Sequence, residues 1–348
     1  MEKIRLGRTE MMVTRLGFGG IPIQRVSEEE AIAVVKKCLE LGINYLDTAN
    51  GYTTSEERIG KAIKGKRDRL FISTKSGART REDIEKHLKL SLERLQTSYI
   101  DLYQFHNVSD AKTLETILDP HGPRAVLEDA KRAGLVKHIG ISSHQIDTAK
   151  DIVKTDQFET IMFPLNFMAY EGREELLSLC RQHDVGFIAM KPLAGGMIDN
   201  VTVAIKYLLQ IPDIVLIPGI ERVPEIEEIA RVLKGPREMT AGEEREMTRI
   251  REELGPRFCR RCDYCQPCTA GIPISDVMSF SNLRRRLPDV RLYTGKFAES
   301  FLKAEECTDC GECEERCPYK LPIRDMMKEH IKLHQAGKIE YDKQLASR

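Results

Sequence analysis

No apolar run in this chain approaches the roughly 20 residues that a membrane-spanning helix needs. The opening stretch, MEKIRLGRTE, lacks the apolar core of a secretory signal. Neither sign of charge is in excess, with 54 basic residues against 54 acidic ones. That balance leaves no electrostatic footprint for a nucleic acid or an anionic membrane surface. Cysteine is nearly missing before residue 259, where only Cys38 and Cys180 occur, both in helix-like apolar stretches. A disulfide framework is therefore not expected, and the chain reads as soluble and cytoplasmic, with no nucleic-acid or membrane partner. A Gly-rich dinucleotide fingerprint is also missing: LGFGG after the first apolar run is not G-x-G-x-x-G.

What is present is enough for a large core, since 41% of the 348 residues are hydrophobic. One large domain plus a smaller one is expected. After a short hairpin turning near Gly7 to Thr9, strand-like runs alternate with amphipathic helical ones. The runs are RLGFGG, INYLDTA, LFISTK, DLYQFH, VKHIGISS, TIMFPLNF, GFIAMKP and IVLIPGI. The first helix opens on a capping box, Ser27 with Glu30, and stops at Gly42. Eight strands alternating with helices predict a parallel (β/α)8 barrel, with an open doubly wound sheet as the rival. The pattern ends after VPEIEEIARVLKG. The boundary is placed near Gly255 and Pro256, giving a barrel over 1–255 and a small, mostly helical domain over 256–348. That second domain should end in a helix from Ile323 to about Gln335, and its Arg284, Arg285 and Arg286 read as a solvated helix face or as a dock for an acidic redox partner.

Barrel active sites collect at the C-terminal strand ends. The second, third and fourth runs end at Asp47, Lys75 and His106, and Tyr52 follows Asp47 by five residues. This set suits proton delivery to the oxygen of a carbonyl that accepts a hydride at carbon. A phenol titrates near 10 and is a poor donor at neutral pH. An adjacent ammonium favours its phenolate, a carboxylate keeps that ammonium charged, and an imidazole can orient the carbonyl oxygen.

With those residues in view, the chain resembles the aldo/keto reductase superfamily. NYLDTANGYTTSEERIGKAI resembles its signature, FISTK and DLYQFH its lysine and histidine segments, and LGRTEMMVTRLGFGG its hairpin and first strand. The resemblance covers roughly residues 1 to 235. It implies a catalytic tetrad of Asp47, Tyr52, Lys75 and His106, with Tyr52 as general acid/base, and NADP(H) or NAD(H) as cofactor. It implies further cofactor contacts. Ser142 and Ser143 stand where the family has Ser-Asn for the carboxamide, Asn166 at an amide position, and Met190 where a tyrosine stacks on the ring. Gly195 and Gly196 could lie along the pyrophosphate, or only close a turn. The family's lysine and arginine for a 2′-phosphate align with Gly219 and Glu225, leaving Arg222 as the nearby cation.

The other eight cysteines form two bursts, Cys259, Cys262, Cys265 and Cys268, then Cys307, Cys310, Cys313 and Cys317 followed by Pro318. The second burst is the ligand run of a bacterial-type ferredoxin, and zinc is the competing reading of paired C-x2-C motifs. The region resembles the two-cluster ferredoxin-like module appended to some prokaryotic aldo/keto reductases. That resemblance implies two 4Fe–4S clusters with crossed ligation: Cys259, Cys262, Cys265 and Cys317 on one, and Cys307, Cys310, Cys313 and Cys268 on the other. It implies an oxidoreductase acting on a small carbonyl or alcohol, with a ferredoxin or flavoprotein as redox partner. The alternative is an idle barrel scaffold carrying an electron-transfer or redox-sensing module.

Overall fold

The computed structural model describes residues 1–170 and 173–347. They divide into two compact units, Met1–Ala194 with Ile198–Ala241, and Gly195–Met197 with Gly242–Arg348.

In the first unit, β1 (Lys3–Arg5) and β2 (Met12–Thr14) form an antiparallel hairpin around a 3₁₀ turn at Gly7–Thr9. Eight parallel strands follow in sequence order: β3 (Phe18–Gly19), β4 (Tyr45–Asp47), β5 (Phe71–Ser76), β6 (Ile100–Phe105), β7 (Val136–Ser142), β8 (Thr160–Pro164), β9 (Gly186–Met190) and β10 (Ile214–Ile217). β3 and β10 then meet and close a (β/α)8 barrel. The amide of Gly17 donates to the Leu216 carbonyl at 2.8 Å, and that of Gly19 to the Pro218 carbonyl at 2.9 Å. A side chain at Gly19 would lie 2.6 Å from that same Pro218 oxygen, so the closure needs glycine there.

The hairpin plugs the N-terminal end of this barrel. Its Leu6, Met11 and Val13 are buried with Tyr45, Leu102, Met162, Ile188 and Val215. Each such side chain, fully buried, contributes about 1.5–3 kcal/mol. The Arg8 amide bonds the Asp184 carbonyl, two residues before β9 begins. With that end sealed, the C-terminal strand ends form the open mouth. The helix Glu28–Glu40 carries the expected capping box, Ser27 with Glu30.

The second unit is helical. Its core gathers Ile272, Val277, Phe280, Leu292, Phe301 and Met326 from short helices around a long last one. That helix spans Ile323–Ala346, well past the expected end at Gln335. Gly337 was expected to lie beyond it, but a side chain there would meet the Tyr293 hydroxyl at 2.1 Å. This glycine provides room for a packed ring and does not stop the helix. Arg284 and Arg285 are exposed, as the solvated-face reading expects. Among the described residues no helix is long and apolar enough to cross a membrane.

Candidate functional site

Asp47 ends β4, Lys75 lies in β5, and His106 directly follows β6. Backbone bonds carry the pairing past β4: Thr48 donates to the Ser73 carbonyl and Asn50 to the Lys75 carbonyl, both at 2.9 Å. The chain then turns, with the Tyr52 amide on the Ala49 carbonyl and the Ser55 amide on the Tyr52 carbonyl. This turn returns Tyr52 to the mouth. Its ring lies edge-on to the His106 imidazole, with centroids 5.7 Å apart, and the Lys75 ammonium stands 5.4 Å from its centroid. The four residues that the sequence singles out are therefore brought together.

Lys75 is 1% exposed and Asp47 3%. The ammonium donates to Asp47 Oδ1 at 2.5 Å and to the Thr48 carbonyl at 2.6 Å. Burial raises the Asp47 pKa, and the Lys75 charge opposes that rise. His106 is half-buried. Burial, then the charges of Lys75, Arg79 and Lys191, lower its pKa to about 3, so the imidazole is neutral at physiological pH.

Two neighbours were not anticipated from the sequence. Gln104 is fully buried, and its amide donates to Ser73 Oγ at 2.7 Å and Asp47 Oδ2 at 3.3 Å. A polar residue between Tyr103 and Phe105 on a buried strand was the available signal. Arg79 lies four residues past Lys75 and bonds the His106 carbonyl at 2.7 Å.

The expected cofactor positions differ in setting. Ser142 Oγ accepts from the Asn107 amide at 2.8 Å, and Ser143 closes a local turn with Gln145. Asn166 donates one N–H to the Lys191 carbonyl at 2.9 Å, while its oxygen accepts from the amides of Met168 and Ala169. Met190, at the end of β9, pairs in register with Pro164. Gly219 packs on Pro22 and bridges Gly19, a steric reason for glycine at a position where a lysine was the comparison. Glu225 accepts from the amides of Glu221 and Arg222 at 2.8 and 3.2 Å, and Arg222 is exposed. Glu221 adds a second carboxylate, 3.9 Å from Arg25, with its pKa raised by burial. Gly195 and Gly196 belong to the second unit and hold left-handed backbone, φ 71° and 87°.

In the second unit the cysteines frame two cavities. One is lined by Cys259, Cys262, Cys265 and Cys317. The other is lined by Cys268, Cys307, Cys310 and Cys313, and by Cys265 as well. The fourth cysteine of each burst thus lines the cavity that holds three thiols of the other. Among the described residues no three His, Cys, Asp or Glu side chains form a single-ion site. Burial pushes the thiols of Cys259 and Cys313 up to about 11 and that of Cys265 to about 12. A cationic centre that stabilises thiolates would suit such a donor set.

The two bursts share a backbone. Arg261 and Asp263 (φ 61° and 59°) occupy the same places in the first loop as Asp309 and Gly311 (φ 61° and 83°) in the second. After the fourth cysteine of each burst come TAGIPISDVM and PYKLPIRDMM. Pro273 (φ −76°, ψ 75°) and Pro322 (φ −75°, ψ 70°) each precede a helix with nearly identical angles. The shorter spacing before Cys268 therefore does not change the repeat. The I-P-I and L-P-I triplets were the missed signal.

Residues 15–202 match the model of the aldo/keto reductase family, and residues 258–322 that of a 4Fe-4S dicluster domain. An uncharacterised oxidoreductase of Bacillus subtilis, YqkF, is 30% identical over 213 residues, covering 57% of this chain and 67% of that protein. An L-galactose dehydrogenase of Arabidopsis thaliana is 30% identical over 212 residues, 56% of this chain and 66% of that one. The chain thus spans about two thirds of the length of these relatives. The holo structure of an aldo-keto reductase from Bacillus halodurans superimposes with a TM-score of 0.62 at 27% identity, over 72% of this chain and 96% of that one.

Proposed function

The chain belongs to the aldo/keto reductase family, and we propose that it reduces a small aldehyde or ketone, or oxidises the matching alcohol, with NAD(H) or NADP(H). The observation that carries this reading is the buried Lys75 ammonium, held at 2.5 Å by Asp47 beside the Tyr52 ring.

A nicotinamide, when bound, would supply the hydride for the carbonyl carbon. Tyr52 gives its phenolic proton to the carbonyl oxygen. The Lys75 charge favours the phenolate left behind, and Asp47 keeps that charge in a buried place. His106, neutral, orients the carbonyl oxygen by a hydrogen bond. General acid catalysis of this kind contributes about 10²–10⁴-fold.

Ser142, Ser143, Asn166 and Met190 would hold the nicotinamide end. Asn166 fits, because its amide is oriented and one N–H is left beyond its Lys191 bond. Gly219 and Arg222 are assigned to the phosphates, while Gly195 and Gly196 pack near Asn282 and Arg285 within the second unit, which favours the turn-closing reading of that pair. Glu221 and Glu225 disfavour a 2′-phosphate, so discrimination is weak or tilts to NADH.

Residues 256–348 are assigned two 4Fe–4S clusters, whose chemistry is one-electron transfer. Cys259, Cys262, Cys265 and Cys317 would hold one and Cys268, Cys307, Cys310 and Cys313 the other, as the two cavities support. A ferredoxin or a flavoprotein is the proposed partner, and the cytoplasm the proposed location. The test is anaerobic purification followed by NADH or NADPH consumption with a panel of aldehydes, ketones and alcohols. Turnover supports the reading; no turnover with no nucleotide binding overturns it.

A further inference from the structure

Arg79 carries a charge that the tetrad chemistry does not use. Its guanidinium is half-buried and fixed by three carbonyls: Ala78 at 3.0 Å, His106 at 2.7 Å and Asn107 at 3.3 Å. These are neutral acceptors. Among the described residues no carboxylate lies within 4.0 Å of it, although most partly buried arginines of this barrel have one, such as Arg67 with Asp101 at 2.6 Å. Asp110 acts on it electrostatically, but the Asp110 oxygens cap the following helix through Thr113. A partly desolvated arginine with no carboxylate in direct contact gains from an anion that can pair with it.

The placement indicates where that anion would come from. Arg79 bonds the backbone carbonyl of the tetrad histidine, and its charge acts on that imidazole, so it lies beside the side chain assigned to orient the substrate carbonyl. Within the tetrad the cation is Lys75, and it is neutralised by Asp47. His106 is itself held neutral by burial and by the cations around it, including Arg79 and Lys191. It can give a hydrogen bond but no charge. A substrate bearing a carboxylate near its carbonyl would meet a guanidinium already oriented by its carbonyl partners, which lowers the ordering cost of a charge-assisted pair.

We propose that Arg79 is the specificity residue of this site and that the substrate is an anionic carbonyl compound, an oxo acid or carboxylated aldehyde. This rests on the carbonyl-reductase reading given above. A solely structural Arg79, satisfying carbonyls at the end of β6, would affect charged and neutral substrates alike.

The experiment compares 4-carboxybenzaldehyde with its methyl ester, for the wild type, Arg79→Gln and Arg79→Lys, each as the cluster-bearing full chain. The ratio of kcat/KM for acid over ester should fall about tenfold to a hundredfold in Arg79→Gln, mostly through KM, and recover in part in Arg79→Lys. A ratio that stays within twofold of wild type overturns the proposal. Benzoate, an unreactive carboxylate, gives a readout independent of turnover. Its calorimetric affinity for the nucleotide-saturated protein should drop about tenfold in Arg79→Gln, and equal affinity overturns the proposal. Loss of all turnover in the wild type would instead count against the reductase reading, and the benzoate result would still decide the role of Arg79.

Discussion

The Lys75 ammonium lies 2.5 Å from Asp47 Oδ1, with only 2% and 4% of the two side chains exposed. A pair so buried is sensitive to loss of either partner, because the remaining charge has no water to solvate it. Lys75→Met should lower unfolding stability by about 3–5 kcal/mol in addition to abolishing turnover. The double variant Lys75→Met with Asp47→Asn should recover part of that stability but none of the activity. Denaturant unfolding of wild type, Lys75→Met, Asp47→Asn and the double variant checks this, and a Lys75→Met chain as stable as wild type would show that the pair is not buried.

His106 sets the acid side of the pH response. Its pKa is about 3 in the fold against about 6.5 in an unfolded chain. As pH falls below about 6.5, the unfolded chain takes up a proton that the fold refuses, so stability declines progressively toward pH 3. Above 6.5 both states are neutral at this position and the effect vanishes. Turnover should therefore show no limb from His106 between pH 5 and 8. In His106→Asn the loss of stability between pH 7.5 and 5 should be smaller than in wild type. Equal losses in denaturant titrations would show that the imidazole keeps its ordinary titration in the fold.

Anaerobically purified protein should contain about eight irons and eight acid-labile sulfides per chain, as two 4Fe–4S clusters require. Cys317→Ser should damage the cluster that takes its other three ligands from the first burst, and Cys268→Ser the other. Iron near four, or zinc in place of iron, would reject the two-cluster assignment. EPR of each variant separates crossed from uncrossed ligation.

On the proposed assignment a 2′-phosphate would face Glu225 and Glu221, with Arg222 exposed beside them. Affinities for NADH and NADPH should lie within about tenfold, or favour NADH. Arg222→Ala should weaken NADPH more than NADH. An NADPH affinity a hundredfold above that for NADH would mean that another cation supplies the clamp.

Much of this architecture was legible in the sequence, because periodic apolar runs and the strand-end residues Asp47, Lys75 and His106 are local signals. Cysteine spacing was equally local. What the sequence could not display is contact between distant segments. Gln104 becomes part of the site only once β6 lies beside β5, and Arg79 only when its loop reaches the His106 carbonyl. The expected end of the last helix at Gln335 came too early, because Gly337 inside it makes room for Tyr293, 44 positions earlier in the chain. The repeat of the two cluster loops was hidden by one missing residue before Cys268, and it emerges in backbone angles rather than in spacing.

The central claim is that Tyr52 delivers the proton in a nicotinamide-linked carbonyl reduction. The most direct test is steady-state NADH or NADPH oxidation by wild type and Tyr52→Phe, measured anaerobically with the same aldehyde and alongside nucleotide affinity. The account predicts kcat lowered by about 10²–10⁴-fold with nucleotide affinity near wild type. A Tyr52→Phe protein that keeps half its turnover would contradict it.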